Sequence, residues 1–359
     1  MPDLIGKAKF WRLLKNSKLV CDVCPRHCEL SDGQRGFCFV RARVGDELIL
    51  TTYGRSSGFC VDPIEKKPLN HFYPGTSVLS FGTAGCNLAC KFCQNWDISK
   101  SRHMERIAEL ASPEAIAQTA LNAGCRSVAY TYNDPVIFLE YAADTAMACR
   151  ERGLASVAVT AGYMEPEAAA WFFSFMDGAN VDLKSFSDDF YRHLTGGRLQ
   201  PVLEVLEYLV RETSVWLELT TLLIPGCNDS DAELDAMTRW VVDRLGADVP
   251  IHFSAFHPDW KMRDLPRTPV ETLFKARRIA MANGVHYVFT GNVMDPQGGS
   301  TWCHRCGRRL IERTGYTLGQ WILTQEGCCP DCGVKIPGRF AATPGQWGAR
   351  RTPIRIDSQ

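Results

Sequence analysis

Three thiols fall within eight residues in Cys86-Asn-Leu-Ala-Cys90-Lys-Phe-Cys93, and no fourth cysteine stands beside them. An iron–sulfur cube ordinarily takes four cysteine thiolates, so three would leave one iron open to a small molecule. The same thiols could instead hold a catalytic zinc ion with an open position, or remain reduced structural groups. The context favours a site. Ser77 to Gly82 reads as a short buried strand, and Thr83-Ala-Gly85 ends it and opens the loop that carries the thiols.

Two further cysteine sets have metal-like spacing. Cys21, Cys24, Cys28 and Cys38 lie within eighteen residues punctuated by Pro25, Gly33 and Gly36, which read as turns. They can close around one metal, either zinc or an auxiliary iron–sulfur centre, and His27 could replace one of them. Near the other end, Cys303-x2-Cys306 and Cys329-x2-Cys332 are separated by 22 residues, each knuckle followed by glycine. Four thiolates in a zinc ribbon are expected there, with a rubredoxin-like iron as the alternative.

The chain of 359 residues is long enough for about two domains. Its 45% hydrophobic and 22% charged residues are ordinary for a soluble globular protein. Forty basic residues balance forty acidic ones, so no overall field draws it to nucleic acid or anionic lipid. No apolar run suits a signal sequence or a membrane span, and a cytoplasmic setting is expected. Sixteen cysteines without an export signal then point to metal centres rather than disulfides.

The elements that must position these thiols alternate. From about residue 77 to 293, strand-like apolar runs alternate with amphipathic helices, which implies a parallel sheet with right-handed crossovers. Six or seven βα units are too few for a closed eight-fold barrel. The expected fold is therefore α/β, a partial (β/α)6 barrel open on one side. Four regions are expected: a Cys-rich region and extended connector over 1–76, the barrel over 77–295, the ribbon over 296–340 and a flexible tail over 341–359.

Barrel enzymes place their sites at the C-terminal strand ends. Asn133 and Asp134 follow the second strand, where they could meet a ligand or cap the next helix. Asp182 and Lys184 share one face of the fourth strand, an expensive arrangement unless paired or bound to a ligand. Glu218 and Thr220 are expected to point inward from the fifth strand. His252 and His257, on and after the sixth, read more readily as satisfied core groups than as catalysts.

With these residues named, the chain resembles the pyruvate formate-lyase-activating-enzyme branch of the radical S-adenosylmethionine (SAM) superfamily. It is most similar to the subgroup called the AmmeMemoRadiSam-system radical SAM enzyme. The matching stretches are Cys21 to Cys28, Asp62-Pro-Ile-Glu-Lys-Lys-Pro68, Cys86 to Trp96, Tyr130 to Pro135, Val181 to Lys184, Ile224-Pro-Gly226 and the ribbon with Ile336-Pro-Gly338. The resemblance implies that Cys86, Cys90 and Cys93 ligate a [4Fe-4S] cluster whose fourth iron is chelated by SAM. It implies SAM contacts for Asn133, Asp134, Asp182 and Lys184, although Asn133-Asp134 departs from the superfamily's Gly-Gly-Glu-Pro wording; Phe92 in the loop and inward-facing Glu218 are further cofactor-binding candidates. It further implies an oxidoreductase that cleaves SAM reductively and abstracts hydrogen from a protein or partner-bound substrate. Its partners would be a low-potential electron donor of flavodoxin or ferredoxin type, with a glycyl radical enzyme or Memo-like and AMMECR-like proteins. A non-catalytic zinc-ribbon binding module is the competing class.

Overall fold

A computed structural model describes residues 6–100 and 109–356. Nine strands form one sheet. Its parallel part comprises β2 (Ser77–Phe81), β3 (Ser127–Tyr130), β4 (Ala155–Thr160), β5 (Gly178–Asp182), β6 (Trp216–Leu223), β7 (Ile251–Ala255) and β8 (Val288–Gly291), hydrogen-bonded in that order. On the outer edge of β2 lies β1 (Phe59–Pro63), antiparallel, and beyond it β9 (Thr352–Ile354), also antiparallel. The first and last strands of this order do not pair, so the parallel strands form an open barrel rather than a closed one.

Helices α1 (Pro113–Asn122), α2 (Leu139–Glu151), α3 (Pro166–Phe173), α4 (Leu199–Glu212), α5 (Asp231–Arg244) and α6 (Val270–Ala282) follow β3's predecessor and each later strand up to β7. Their starts obey local chemistry. Ser112 and Ser230 cap α1 and α5 by accepting from Ala115 N and Glu233 N, and Pro113 sits where a missing N–H costs nothing. Buried on both faces, the strands carry runs such as Ser-Val-Leu-Ser-Phe with every residue enclosed.

Two expectations need correction. The connector after Asp62 is not simply extended: Asp62-Pro63 ends β1, and Ile64–Lys66 forms a 3-10 turn. Nor is the tail loosely held as far as Ile356, because Thr352, Pro353 and Ile354 pair with Val61, Cys60 and Phe59, while Trp347 N donates to Gly75 O at 2.9 Å. Pro353 is tolerated because β9 lies at the sheet's edge. Residues 357–359 of the expected tail, and 1–5 of the N-terminal region, lie outside the described residues.

The N-terminal cysteines sit on more than turns. Leu19–Cys21 and Cys28–Leu30 are antiparallel strands with Cys21 opposite Cys28. At the other end, Thr301–Trp302, Arg309–Thr314 and Thr317–Trp321 make the three-stranded sheet of the C-terminal ribbon. A small apolar core that includes Tyr287, Phe289, Leu310, Ile311 and Ile336 joins this sheet to β8.

Candidate functional site

The C-terminal strand ends surround a chamber of about 270 Å³. Cys86, Cys90 and Cys93 line it together with Phe92, Asn133, Asp134, Asp182 and Lys184, so residues from three separate segments meet in one space. Gly82 makes this approach achievable. A Cβ there would stand 2.3 Å from Thr131 O and 2.7 Å from Asn133 Oδ1, leaving no room for any other residue without moving the second strand's exit.

Asn133 fastens the cluster loop. Its amide donates to Gly85 O at 2.9 Å and to Thr83 Oγ1 at 3.3 Å, and its Oδ1 accepts from Thr83 N at 3.3 Å. Asp134 both caps and lines. Its carboxylate accepts from Val136 N at 3.1 Å, Thr160 Oγ1 at 2.8 Å and Ala161 N at 2.9 Å. Burial pushes its pKa up against those three donors.

Asp182 and Lys184 are joined by a 2.7 Å ion pair inside the chamber. Burial works against the Lys184 ammonium, but the Asp182 carboxylate and the Cys90 sulfur raise its pKa above the ordinary lysine value. Burial also pushes up the Cys86 and Cys90 thiols, so a metal must displace their protons to bind. Phe92 is buried, its ring 5.6 Å from that of Phe190.

Thr220 carries a buried hydroxyl with no protein partner, and it faces the chamber. An unsatisfied buried hydroxyl costs about 1–3 kcal/mol unless a ligand or water meets it. With three ionisable thiols, an ammonium and a spare hydroxyl on one wall system, the donor set fits an iron–sulfur cluster and a zwitterionic cosubstrate.

Glu218 is the exception. It points inward as expected but does not line the chamber, lying one inward step, about 6.6 Å, deeper along β6 than Thr220. Its oxygens accept from His252 Nε2 at 2.6 Å, His71 N at 2.7 Å, and Asn70 N and Trp216 Nε1 at 3.0 Å each. Burial opposes the charge, yet His252 and these donors hold the pKa below the usual glutamate value. In this geometry it buttresses the barrel floor, and His252 is its satisfied partner.

Other chamber residues escaped sequence reasoning, among them Gln94, Tyr132 and Asn292. Tyr132 and Asn292 have φ of 72° and 60°, left-handed values at strand exits. For Asn292 the residue type was a usable signal, because asparagine tolerates that region; for Tyr132 it was not.

Cys303, Cys306, Cys329 and Cys332 converge independently of the chamber, all four sulfurs within 4.8 Å of one another. Cys303 to Cys332 and Cys306 to Cys329 are each 3.6 Å apart. A tetrahedron of 2.3 Å zinc–sulfur bonds has edges of about 3.8 Å, so the set fits one ion.

An open parallel barrel with a three-thiol loop at the exit of its first parallel strand defines a radical SAM protein. Residues 81–238 match the model of the Radical SAM superfamily, and the chain belongs to that superfamily. It is 40% identical over 333 residues to "Uncharacterized protein MJ0808" of Methanocaldococcus jannaschii, covering 92% of this chain and 98% of that one. It is 23% identical over 164 residues to pyruvate formate-lyase 1-activating enzyme of Escherichia coli, covering 44% of this chain and 65% of that enzyme. A solved domain of pyruvate-formate lyase-activating enzyme from Bacteroides vulgatus is similar with a TM-score of 0.41 and 15% identity, over 46% of this chain and 99% of that one. Superfamily membership implies an enzyme with a [4Fe-4S] cluster and SAM. Among the described residues, no helix is long and apolar enough to cross a membrane.

Proposed function

We propose that this chain cleaves SAM reductively and uses the resulting radical to take hydrogen from a peptide segment or a partner-bound substrate. The observation that carries this is the convergence of Cys86, Cys90 and Cys93 with Lys184, Asp182 and the unpartnered Thr220 hydroxyl on one chamber. Bound there, the cluster and SAM would supply one-electron cleavage of the sulfonium, giving a 5′-deoxyadenosyl radical and methionine.

The protein's share is positioning. Cys86, Cys90 and Cys93 would hold the cluster. Lys184 offers a fixed ammonium to a carboxylate, and Asp182 keeps that ammonium charged and oriented. Asn133 holds the loop to the barrel, and Phe92 and Leu88 exclude water from its inner side.

A large substrate is supported by the chamber's surroundings. Asn292 lines both the chamber and a wider recess of about 650 Å³, whose walls include Val293, Met294 and Tyr316. Met294 is 74% exposed and gives this recess an apolar contact point. The similarity to an activating enzyme favours a glycyl radical enzyme as one such substrate. Memo-like and AMMECR-like proteins are the other proposed partners, with a flavodoxin- or ferredoxin-type protein as electron donor. A single zinc ion is proposed for the C-terminal thiols.

The test is anaerobic reconstitution followed by strong reduction with SAM. Formation of 5′-deoxyadenosine and methionine is expected. A fully loaded central cluster that leaves SAM intact would favour the non-catalytic binding module instead.

A further inference from the structure

The N-terminal thiols differ from the C-terminal ones in a way that bears on what they bind. Cys21, Cys24, Cys28 and Cys38 line one small chamber, yet they do not form a group with all sulfurs within 4.8 Å, as Cys303, Cys306, Cys329 and Cys332 do. Nor do Cys86, Cys90 and Cys93 of the central loop form such a group. A single zinc ion needs its sulfurs about 3.8 Å apart, at the corners of its own tetrahedron. A polynuclear cluster carries its cysteines on outer corners and separates them further. Like the central trio, the N-terminal set falls outside the compact grouping that the C-terminal thiols make.

Arg41 points the same way. Its side chain lines the chamber and is 1% exposed, and its Nε has no partner. Nη2 donates to Glu140 Oε2 at 2.5 Å and Nη1 to Lys9 O at 3.4 Å, while the N–H on Nε is left over. A buried guanidinium N–H without an acceptor is costly, and an anionic sulfur centre would supply one. The backbone adds donors: N–H groups of Val23 and Arg26 turn toward Cys21 and Cys24, those of Val40 and Arg41 toward Cys38, and Phe37 N lies 3.4 Å from Cys28 Sγ. Hydrogen bonds to sulfur stabilise thiolates and tune a cluster.

We infer that Cys21, Cys24, Cys28 and Cys38 bind a second iron–sulfur cluster, with Arg41 Nε as an internal hydrogen-bond donor to it. The site abuts the central loop. Asn87 lines the N-terminal chamber, Arg26 Nε donates to Asn87 O, and a Cβ on Gly85 would strike Cys38 O at 2.2 Å. This assignment rests on the cysteines' own geometry and deepens the radical SAM reading without requiring SAM cleavage.

The experiment uses the full chain, reconstituted without oxygen with iron and sulfide in the presence of zinc, and quantifies all three. In the variant C86A/C90A/C93A, about four irons and four sulfides per chain are expected to remain, with a paramagnetic signal after dithionite reduction and about one zinc. Adding Cys24→Ser and Cys38→Ser is expected to remove that iron and leave the zinc. Should the central triple variant fail to fold, C24S/C38S in the otherwise intact chain replaces it, with iron expected to fall from about eight to about four per chain. Two zincs and no iron in the triple variant, or an unchanged iron content in C24S/C38S, would overturn the assignment. Failure of SAM cleavage in the parent protein would leave this readout unchanged, so the two proposals fail separately.

Discussion

Lys184 Nζ lies 2.7 Å from Asp182 Oδ2 at the mouth of the barrel, and both side chains face the chamber that the three loop thiols line. The pair is not a closed one. Asp182 is 33% and Lys184 14% exposed at the side chain, so each keeps bonding capacity for a third group. Lys184→Met is therefore expected to lower SAM affinity about 10- to 100-fold, the value of one lost charge-assisted hydrogen bond of about 1.5–3 kcal/mol. Iron content should stay at the parental level. Equilibrium dialysis with SAM and iron analysis check this together; unchanged affinity would remove Lys184 from the binding machinery.

The two clearest thiol sets should separate by function. Cys90→Ala is expected to abolish the central cluster and SAM cleavage together. Cys306→Ala removes one corner of a four-sulfur tetrahedron whose sulfurs lie 3.6 Å apart in pairs. It should lose bound zinc and loosen the C-terminal sheet, with SAM cleavage retained by the folded fraction. Metal analysis, limited proteolysis and product chromatography on both variants decide it. Loss of cleavage in a folded Cys306→Ala protein would show that the ribbon acts in the reaction.

Glu218 shows how far one sequence could be read. Alternation along β6 correctly placed Glu218 and Thr220 on the inner face, because side-chain direction in a strand depends only on parity. Depth along the barrel axis depends on register with neighbours. Glu218 lies opposite Asn180, whereas Thr220 lies opposite Asp182. The donors that consume Glu218 come from His252 and from the backbone of Asn70 and His71, about 148 residues away in sequence. No local pattern announces such partners. The cysteine loops were legible because their ligands are close in sequence, and the helix starts because caps are local. The edge strand formed by Thr352–Ile354 was not, since its proline and flanking arginines resemble a tail until β1 supplies a partner.

The consequence for Glu218 is testable. Glu218→Ala would leave the His252 ring, the Trp216 indole N–H and two backbone N–H groups without their acceptor. A loss of about 3–5 kcal/mol in stability is expected, as for other broken buried pairs. SAM affinity of the folded fraction should change less than threefold. Thermal unfolding and SAM titration of the same preparation provide both readings, and a selective loss of SAM binding would return Glu218 to the site.

His71 makes the stability of the barrel–ribbon seam depend on acidity. Its Nδ1 is 2.8 Å from Pro337 O, which can only accept, so Nδ1 carries the proton; Nε2, 3.0 Å from Thr301 Oγ1, is then the acceptor. The ring is neutral in this geometry, enclosed by Tyr287, Phe289 and Phe340. Burial pushes its pKa down to about 4, against the opposing pull of Glu218. The unfolded chain, with a histidine pKa of about 6.5, therefore binds more protons than the folded chain between those two values. The stability contributed by neutral His71 is present above about pH 6.5 and is lost as pH falls toward about 4, amounting to at most about 3 kcal/mol. His71→Gln can keep a donor and an acceptor while removing the titration. Its unfolding free energy should be lower than the parent's at pH 7.5 yet fall less steeply between pH 6.5 and 4.5. Denaturant unfolding across that range, with bound metal quantified at each point to separate loss of metal at the ribbon, reads the slope directly; parallel slopes in the two proteins would show that His71 does not titrate on unfolding.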